Sequence, residues 1–187
     1  MTALPTATTT VFAPPLGQTL GQTPGQTPGQ TPGQPVAGIT WRMSPHCSAR
    51  GRVPIRFIVL HADVAPVESA TIRWLQDPRS RVSYHALVHR DGMVTRFVRD
   101  QQAAWACGES QWHGIHYLNR HSLSLAFANR HDFKERLTEA QRTTARRLID
   151  AWRAAHPIEA VLTHAMISPG RKADPAQIPN FLLQDYD

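Results

Sequence analysis

The sequence predicts an α/β domain with one central mixed β-sheet flanked by helices. Three observations carry that expectation. Apolar runs rich in Val, Ile and Leu recur at residues 55–60, 122–128 and 158–163, each of a length suited to a buried strand. Two segments lying between them repeat their apolar residues at helical spacing. Arg90-Asp91-Gly92 separates two further strand-like stretches by a hairpin-turn signal.

The chain divides by composition before any element is read. Residues 1–40 contain no Lys, Arg, Asp or Glu, yet hold 7 of the 15 prolines and 6 of the 11 glycines. The 20 basic and 14 acidic residues, and with them the net charge of +6, all lie beyond that point, starting at Arg42. So little apolar surface cannot offset the entropy of ordering, so residues 1–40 are expected to be a disordered head and residues 41–187 one folded domain. Within the head, Gly-Gln-Thr-Leu is followed by three copies of Gly-Gln-Thr-Pro. A period of four is too short for a solenoid unit, and it makes a partly extended, partly flexible spacer.

Within the domain, residues 55–60 read as a strand ending at His61. Residues 66–76 place Val67, Ala70, Thr71, Trp74 and Leu75 at helical spacing before Asp77-Pro78 stops the helix. Residues 82–88 and 93–98 flank the Asp-Gly turn, and residues 122–128 form another strand. Thr138 with Gln141 is a capping-box signature. It opens a helix whose stripe is Ala145, Leu148, Ile149 and Trp152, with Arg142, Arg146 and Arg153 on a solvated face. Pro157 ends it, and residues 158–163 lead to His164. The order is β-α-β-β-β-α-β.

Several classes are excluded. No apolar run approaches the ~18–20 residues of a membrane span. The Met1 end lacks the basic flank and apolar core of a secretory signal, so synthesis in the cytoplasm without standard export is expected. Cys47 and Cys107 form no disulfide framework or metal-type pair and read as ordinary thiols. The basic balance suits a polyanionic partner, but no nucleic-acid module accompanies it.

The chemistry concentrates in two histidines. His61 and His164 each directly follow a buried strand, and ligand sites in α/β sheets gather at strand carboxyl ends. Asp174 stands ten residues after His164, beyond the rigid Ser168-Pro169-Gly170-Arg171-Lys172 loop. Two imidazoles and a carboxylate form a zinc site with three protein ligands, leaving a position for water or substrate.

From about Ile55 to Pro179 the chain resembles the type-2 amidases, zinc-dependent N-acetylmuramoyl-L-alanine amidases that include phage endolysins, cytosolic anhydromuropeptide amidases and peptidoglycan-recognition proteins. The matching pieces occur in family order. Ile58-Val59-Leu60-His61 resembles the first-ligand strand, and Val82-Ser83-Tyr84-His85 the family's Ser-x-His strand. Ala104-Trp105-Ala106-Cys107-Gly108-Glu109-Ser110-x-Trp112 is similar to the groove loop. Asn119-x-x-Ser122-Leu123-Ser124-Leu125 resembles the central strand. The strongest match runs from His164 through Pro169-Gly170-Arg171-Lys172-x-Asp174-Pro175.

The resemblance implies that His61, His164 and Asp174 hold one Zn2+ ion at the strand ends. It implies hydrolysis of the amide joining the lactyl group of N-acetylmuramic acid to L-alanine. Lys172 would stabilise the developing oxyanion, Tyr84 would stand at the reacting centre, and His85 would support the site. Trp105, Trp112 and Glu109 are candidate contacts for peptidoglycan or muropeptide, with Glu109 a reserve proton carrier, and Asn119 is expected to fix a turn. His89, His113, His116, His121 and His131 carry no assigned role. Two departures stand out. Ala126 occupies the central-strand position where many cytosolic members have a glutamate, which points to the endolysin and recognition-protein branch. Ala106 replaces a groove histidine. A bacteriolytic enzyme acting on the cell wall as a monomer is expected, with a non-catalytic peptidoglycan-binding module as the alternative.

Overall fold

The computed structural model describes residues 38–187, so the expected disordered head and its repeats lie outside the described residues. The elements run β1 (Ile39–Trp41), β2 (Cys47–Ala49), β3 (Phe57–Ala62), α1 (Glu68–Gln76), β4 (Ala86–Val88), β5 (Val94–Arg96) and β6 (Gln102–Ala104). They continue with β7 (Gln111–Trp112), β8 (Ile115–His116), β9 (Ser122–Phe127), α2 (Glu139–Ala155), β10 (Ala160–Thr163) and α3 (His164–Ile167). Six strands form one mixed sheet in the order β1-β5-β4-β9-β3-β10, in which only β4 and β5 pair antiparallel. The expected fold class is the observed one.

Alternation along the strands sends their side chains to two layers. Ile58, Leu60, Leu123, Leu125 and Phe127 pack against Ala145, Leu148, Ile149 and Trp152 of α2. On the other face, Phe57 and Val59 pack with Cys107, Leu118 and Ile167. Leu87, Phe97 and Ala126 meet Leu75 of α1 there. Helices therefore cover both faces of the sheet.

Helix α2 starts as its sequence signature requires. The Thr138 hydroxyl accepts the Gln141 N–H, and the Gln141 side chain accepts the Thr138 N–H, at 3.0 and 3.1 Å. Gln141 is buried, and its amide also donates to the carbonyls of Val88 and Ala128. One side chain thus starts the helix and docks it on the exits of two central strands. The arginines read as a solvated face do more than that. Arg142 and Arg146 both reach Asp185, and Arg153 reaches Asp187, so α2 clasps the C-terminal turn.

Four sequence expectations need correcting. The inward face of α1 is Thr71, Ile72 and Leu75, while Val67 and Trp74 are about half exposed. Glu68 explains the rotation: its carboxylate holds His89 Nδ1 and the Arg90 N–H, both at 2.8 Å, turning that edge toward the sheet. The hairpin strands are shorter than residues 82–88 and 93–98, because the Ser83 N–H bonds to the Trp105 carbonyl and leaves the β4–β5 ladder. The sheet begins at Ile39, inside the chargeless segment. Residues 104–112, expected only as the groove loop, contribute to two short strand pairs, β2–β6 and β7–β8.

Gln141→Leu leaves the Val88 and Ala128 carbonyls without their donor and should destabilise the domain by roughly 2–4 kcal/mol, read by denaturant unfolding. Thr138→Ser, which keeps the cap, should change stability little.

Candidate metal centre

Strands β3 and β10 lie side by side with Leu60 opposite Thr163. The residues that follow, His61 and His164, are therefore brought together at the same sheet end. Thr163 caps α3 through its hydroxyl, accepting the Met166 N–H, so the chain turns directly after β10 and His164 opens the turn. Asp174 returns from the loop beyond and is tied to the end of β3 and to α3. Its carboxylate accepts the Ala62 N–H at 3.3 Å, and its carbonyl accepts the Ala165 N–H at 3.0 Å.

These three are the only such group of metal-ligand residues among the described residues, and all are buried. His61 Nδ1 and His164 Nδ1 are 3.0 Å apart, and Asp174 Oδ2 lies 3.3 Å from the second and 3.6 Å from the first. Adjacent corners of a tetrahedron with ligands at about 2.0–2.2 Å stand about 3.3–3.6 Å apart. Both edges to Asp174 match a single tetrahedral zinc, and the His61–His164 edge is slightly shorter. The tautomers agree. His164 Nε2–H donates to the Cys107 carbonyl at 3.2 Å, leaving Nδ1 as a lone pair facing the other two donors. His61 Nε2 is buried without a partner among the described residues, so Nδ1 is its only nitrogen facing polar groups.

Burial, above all, pushes His61 down to about 4 against the pull of the neighbouring Asp174 carboxylate, so His61 is neutral near pH 7. Burial pushes the Asp174 carboxyl up, but the two imidazoles beside it outweigh this and hold it well below the usual range. Two imidazole nitrogens and a carboxylate make a donor set suited to zinc. The Tyr84 ring centroid lies 5.2 Å from that of His61, and burial, reinforced by Asp174, raises its phenol and keeps it protonated. Lys172 is exposed two residues before Asp174, and its charge is felt at His61. Ala126 sits directly opposite His61 in the β3–β9 ladder and is buried.

His85 lies behind this layer. Its Nδ1 accepts the Ser124 N–H at 2.9 Å, so the ring proton is on Nε2 and goes to the Gln102 carbonyl at 3.0 Å. The nearby Arg50 guanidinium therefore meets a donor there, and its bonds go to the carbonyls of Asp100, Gln102, Asn119, Arg120 and Ser122. Burial lowers Arg50 to about 10. No motif pointed to Arg50, because all five of these acceptors are backbone.

The groove loop is placed beside the triad, but its aromatic candidates are not equally available. Trp105 turns its indole N–H to Ser48 and lies against His46. Trp112 stacks on His113 and packs on the Phe57 and Val59 cluster. Neither lines the open cleft of about 360 Å³ beside α3, whereas Glu109, His116, Ser168 and Arg171 do. Asn119 fixes the loop as expected, its Oδ1 accepting the N–H groups of Ala106 and Cys107. Cys47 and Cys107 are both free thiols. Arg171, read from sequence only as part of a motif, bonds to carbonyls of the groove loop.

A sheet that gathers two imidazoles and a carboxylate at the ends of parallel strands has the make-up of a one-metal hydrolase. The sequence profile of N-acetylmuramoyl-L-alanine amidase, Amidase_2, matches residues 51–177, and the chain belongs to that family. It is 29% identical over 100 residues to the 1,6-anhydro-N-acetylmuramyl-L-alanine amidase AmpD of Haemophilus influenzae, covering 52% of this chain and 53% of that protein. The chain thus spans about half the length of the curated relatives it matches. A selenomethionine AmpD crystal structure shares the fold at a TM-score of 0.64 and 23% identity, over 82% of this chain and 93% of that one. AmiD of Escherichia coli, solved with its substrate anhydro-N-acetylmuramic acid-L-Ala-D-γ-Glu-L-Lys, matches at a TM-score of 0.60 and 27% identity. That match covers 72% of this chain and 56% of that one.

Burial, outweighing the bond to the Gln102 carbonyl, lowers His85 to about 3. The unfolded chain takes up a proton near pH 6.5 that the folded chain refuses, so this contribution to stability is full above pH 6.5 and falls as pH drops toward 3. His85→Gln should reduce the slope of unfolding free energy against pH between 4 and 6 by about 1.4 kcal/mol per pH unit.

Proposed function

We propose that this protein is a zinc-dependent amidase hydrolysing the bond between the lactyl group of N-acetylmuramic acid and the L-alanine of the stem peptide. The observation that carries the reading is the convergence of His61 Nδ1, His164 Nδ1 and Asp174 Oδ2, in a chain of this family, within a triangle of a size suited to one tetrahedral ion. His61, His164 and Asp174 would hold the zinc, which supplies Lewis acidity toward the amide carbonyl and activation of a water.

The protein's own groups supply the rest. Asp174 is anchored by the Ala62 N–H and aims its carboxylate between the imidazoles. Lys172 presents a cation at the rim of the triad, where negative charge develops on the amide oxygen. Tyr84 offers a protonated phenol beside His61 as a second donor to that oxygen. Glu109, exposed in the cleft, is a candidate contact for the substrate. With Ala126 opposite His61, the central strand provides no carboxylate base, so the reaction leans on the metal and on Tyr84 and Lys172.

That same Ala126 favours the second reading, a peptidoglycan-binding module without catalysis. Zinc analysis together with stem-peptide release from purified sacculi separates the two. Bound zinc with released peptide supports the enzyme, and binding to sacculi without release supports the module. The net charge of +6 and Ala126 favour polymeric wall over soluble anhydromuropeptides as substrate, and turnover of the two side by side tests this. Residues 1–37 are proposed as a tether. A chain beginning at Gly38 should keep its activity, whereas one beginning at Trp41 would lose residues of β1.

His61→Ala, His164→Ala and Asp174→Ala should each abolish tight zinc binding, measured by equilibrium dialysis, and hydrolysis with it. Any of them that retains both is not a ligand. Lys172→Ala should lower kcat by about 10²–10³ with zinc still bound. Tyr84→Phe should also lower kcat without metal loss, and unchanged kinetics would assign Tyr84 to packing alone.

A further inference from the structure

The loop that carries Asp174 and the groove loop meet through one side chain. Arg171 Nη2 lies 2.6 Å from the Cys107 carbonyl oxygen, 2.6 Å from that of Glu109 and 2.7 Å from Ser168 Oγ. Ser168 gives its own hydroxyl hydrogen to the Glu109 carbonyl at 2.8 Å, so toward Arg171 it is an acceptor. The two hydrogens of this nitrogen are shared among three oxygens. A Cβ built at Gly108 would lie 3.5 Å from both terminal guanidinium nitrogens, which shows how closely the group covers that peptide.

The Cys107 peptide is fixed from both ends. Its N–H donates to Asn119 Oδ1 at 2.7 Å, and its carbonyl accepts from Arg171 and from His164 Nε2–H. A carbonyl can only accept, so this bond requires the imidazole proton on Nε2 and leaves Nδ1 as a lone pair, whereas the Asp174 carboxylate, also an acceptor and 3.2 Å from Nδ1, draws the proton the other way. This selection lasts only while the carbonyl stays in place. Gly108, next in the chain, has φ +59 and no side chain, and the Arg171 guanidinium is what lies over it.

We propose that Arg171 is a positioning residue: by holding the Cys107 carbonyl it fixes the tautomer in which His164 can bind the metal. The proposal rests on the zinc reading above for its purpose, but its geometry can be tested without metal. Nη2 is committed to the protein's own oxygens, and this is the contact through which Arg171 acts on His164.

Long-range 1H–15N spectra of the full metal-free chain report the protonated nitrogen of His164. Zinc affinity by competition with a chromophoric chelator reports the consequence. Wild type should show the Nε2–H form. Arg171→Ala should show a mixed or Nδ1–H form and bind zinc roughly 10–100-fold more weakly. Arg171→Lys should recover part of both, since an ammonium can reach the carbonyl but cannot cover the peptide. Arg171→Gln serves the same reading should the alanine variant fail to fold. A folded variant without the guanidinium that keeps the Nε2–H form overturns the proposal, whatever its zinc affinity. A wild-type chain that binds no zinc instead overturns the metal reading, and the tautomer comparison still decides Arg171.

Discussion

Everything at this site depends on the register of β3 against β10. Their parallel pairing sets Leu60 beside Thr163, so the next residue of each strand is a histidine and both rings emerge at one sheet end. A slip of one residue would send His61 to the α2 face, among Ile58, Leu60 and Leu125, and dissolve the triangle. The apolar stretch Phe57–Ala62, buried along its whole length, makes such a slip costly on both faces. Core packing and ligand placement are here one constraint.

Around that register the protein surrounds two imidazoles with fixed acceptors and a fixed anion. Asp174 is held by backbone donors from the end of β3 and from α3, and His164 is oriented by a backbone carbonyl. Behind them His85 and Arg50 tie β9 to the loops on its far side. Most of these attachments are to peptide groups, so the geometry relies on chain path more than on particular neighbouring side chains.

That reliance decides what could be read in the amino-acid sequence. The strands, the Thr138–Gln141 cap, the α2 stripe and the spacing of His61, His164 and Asp174 were legible, because each depends on side-chain type at a set interval. The rotation of α1 was not. Ile72 and Trp74 are equally apolar, and the choice between them comes from Glu68 reaching the His89 turn, a contact between elements. Arg50 and the Cys107 carbonyl were hidden for a related reason, since a backbone acceptor has the same appearance in every sequence. Strand β1 carries no alternation to find, as all three of its residues are exposed at the sheet edge.

That edge position has a mechanical meaning. Whatever pulls on the residues before Gly38 loads β1 first, and β1 is joined to the sheet only through a three-residue pairing with β5. Strands β5, β4 and β9 stand between it and the ligand strand β3. Force arriving there meets the β1–β5 pairing first, and along the chain residues 42–46 and β2 come next, ahead of the ligand strand β3. Strand β1 is thus the first link to give, before any element that carries a ligand.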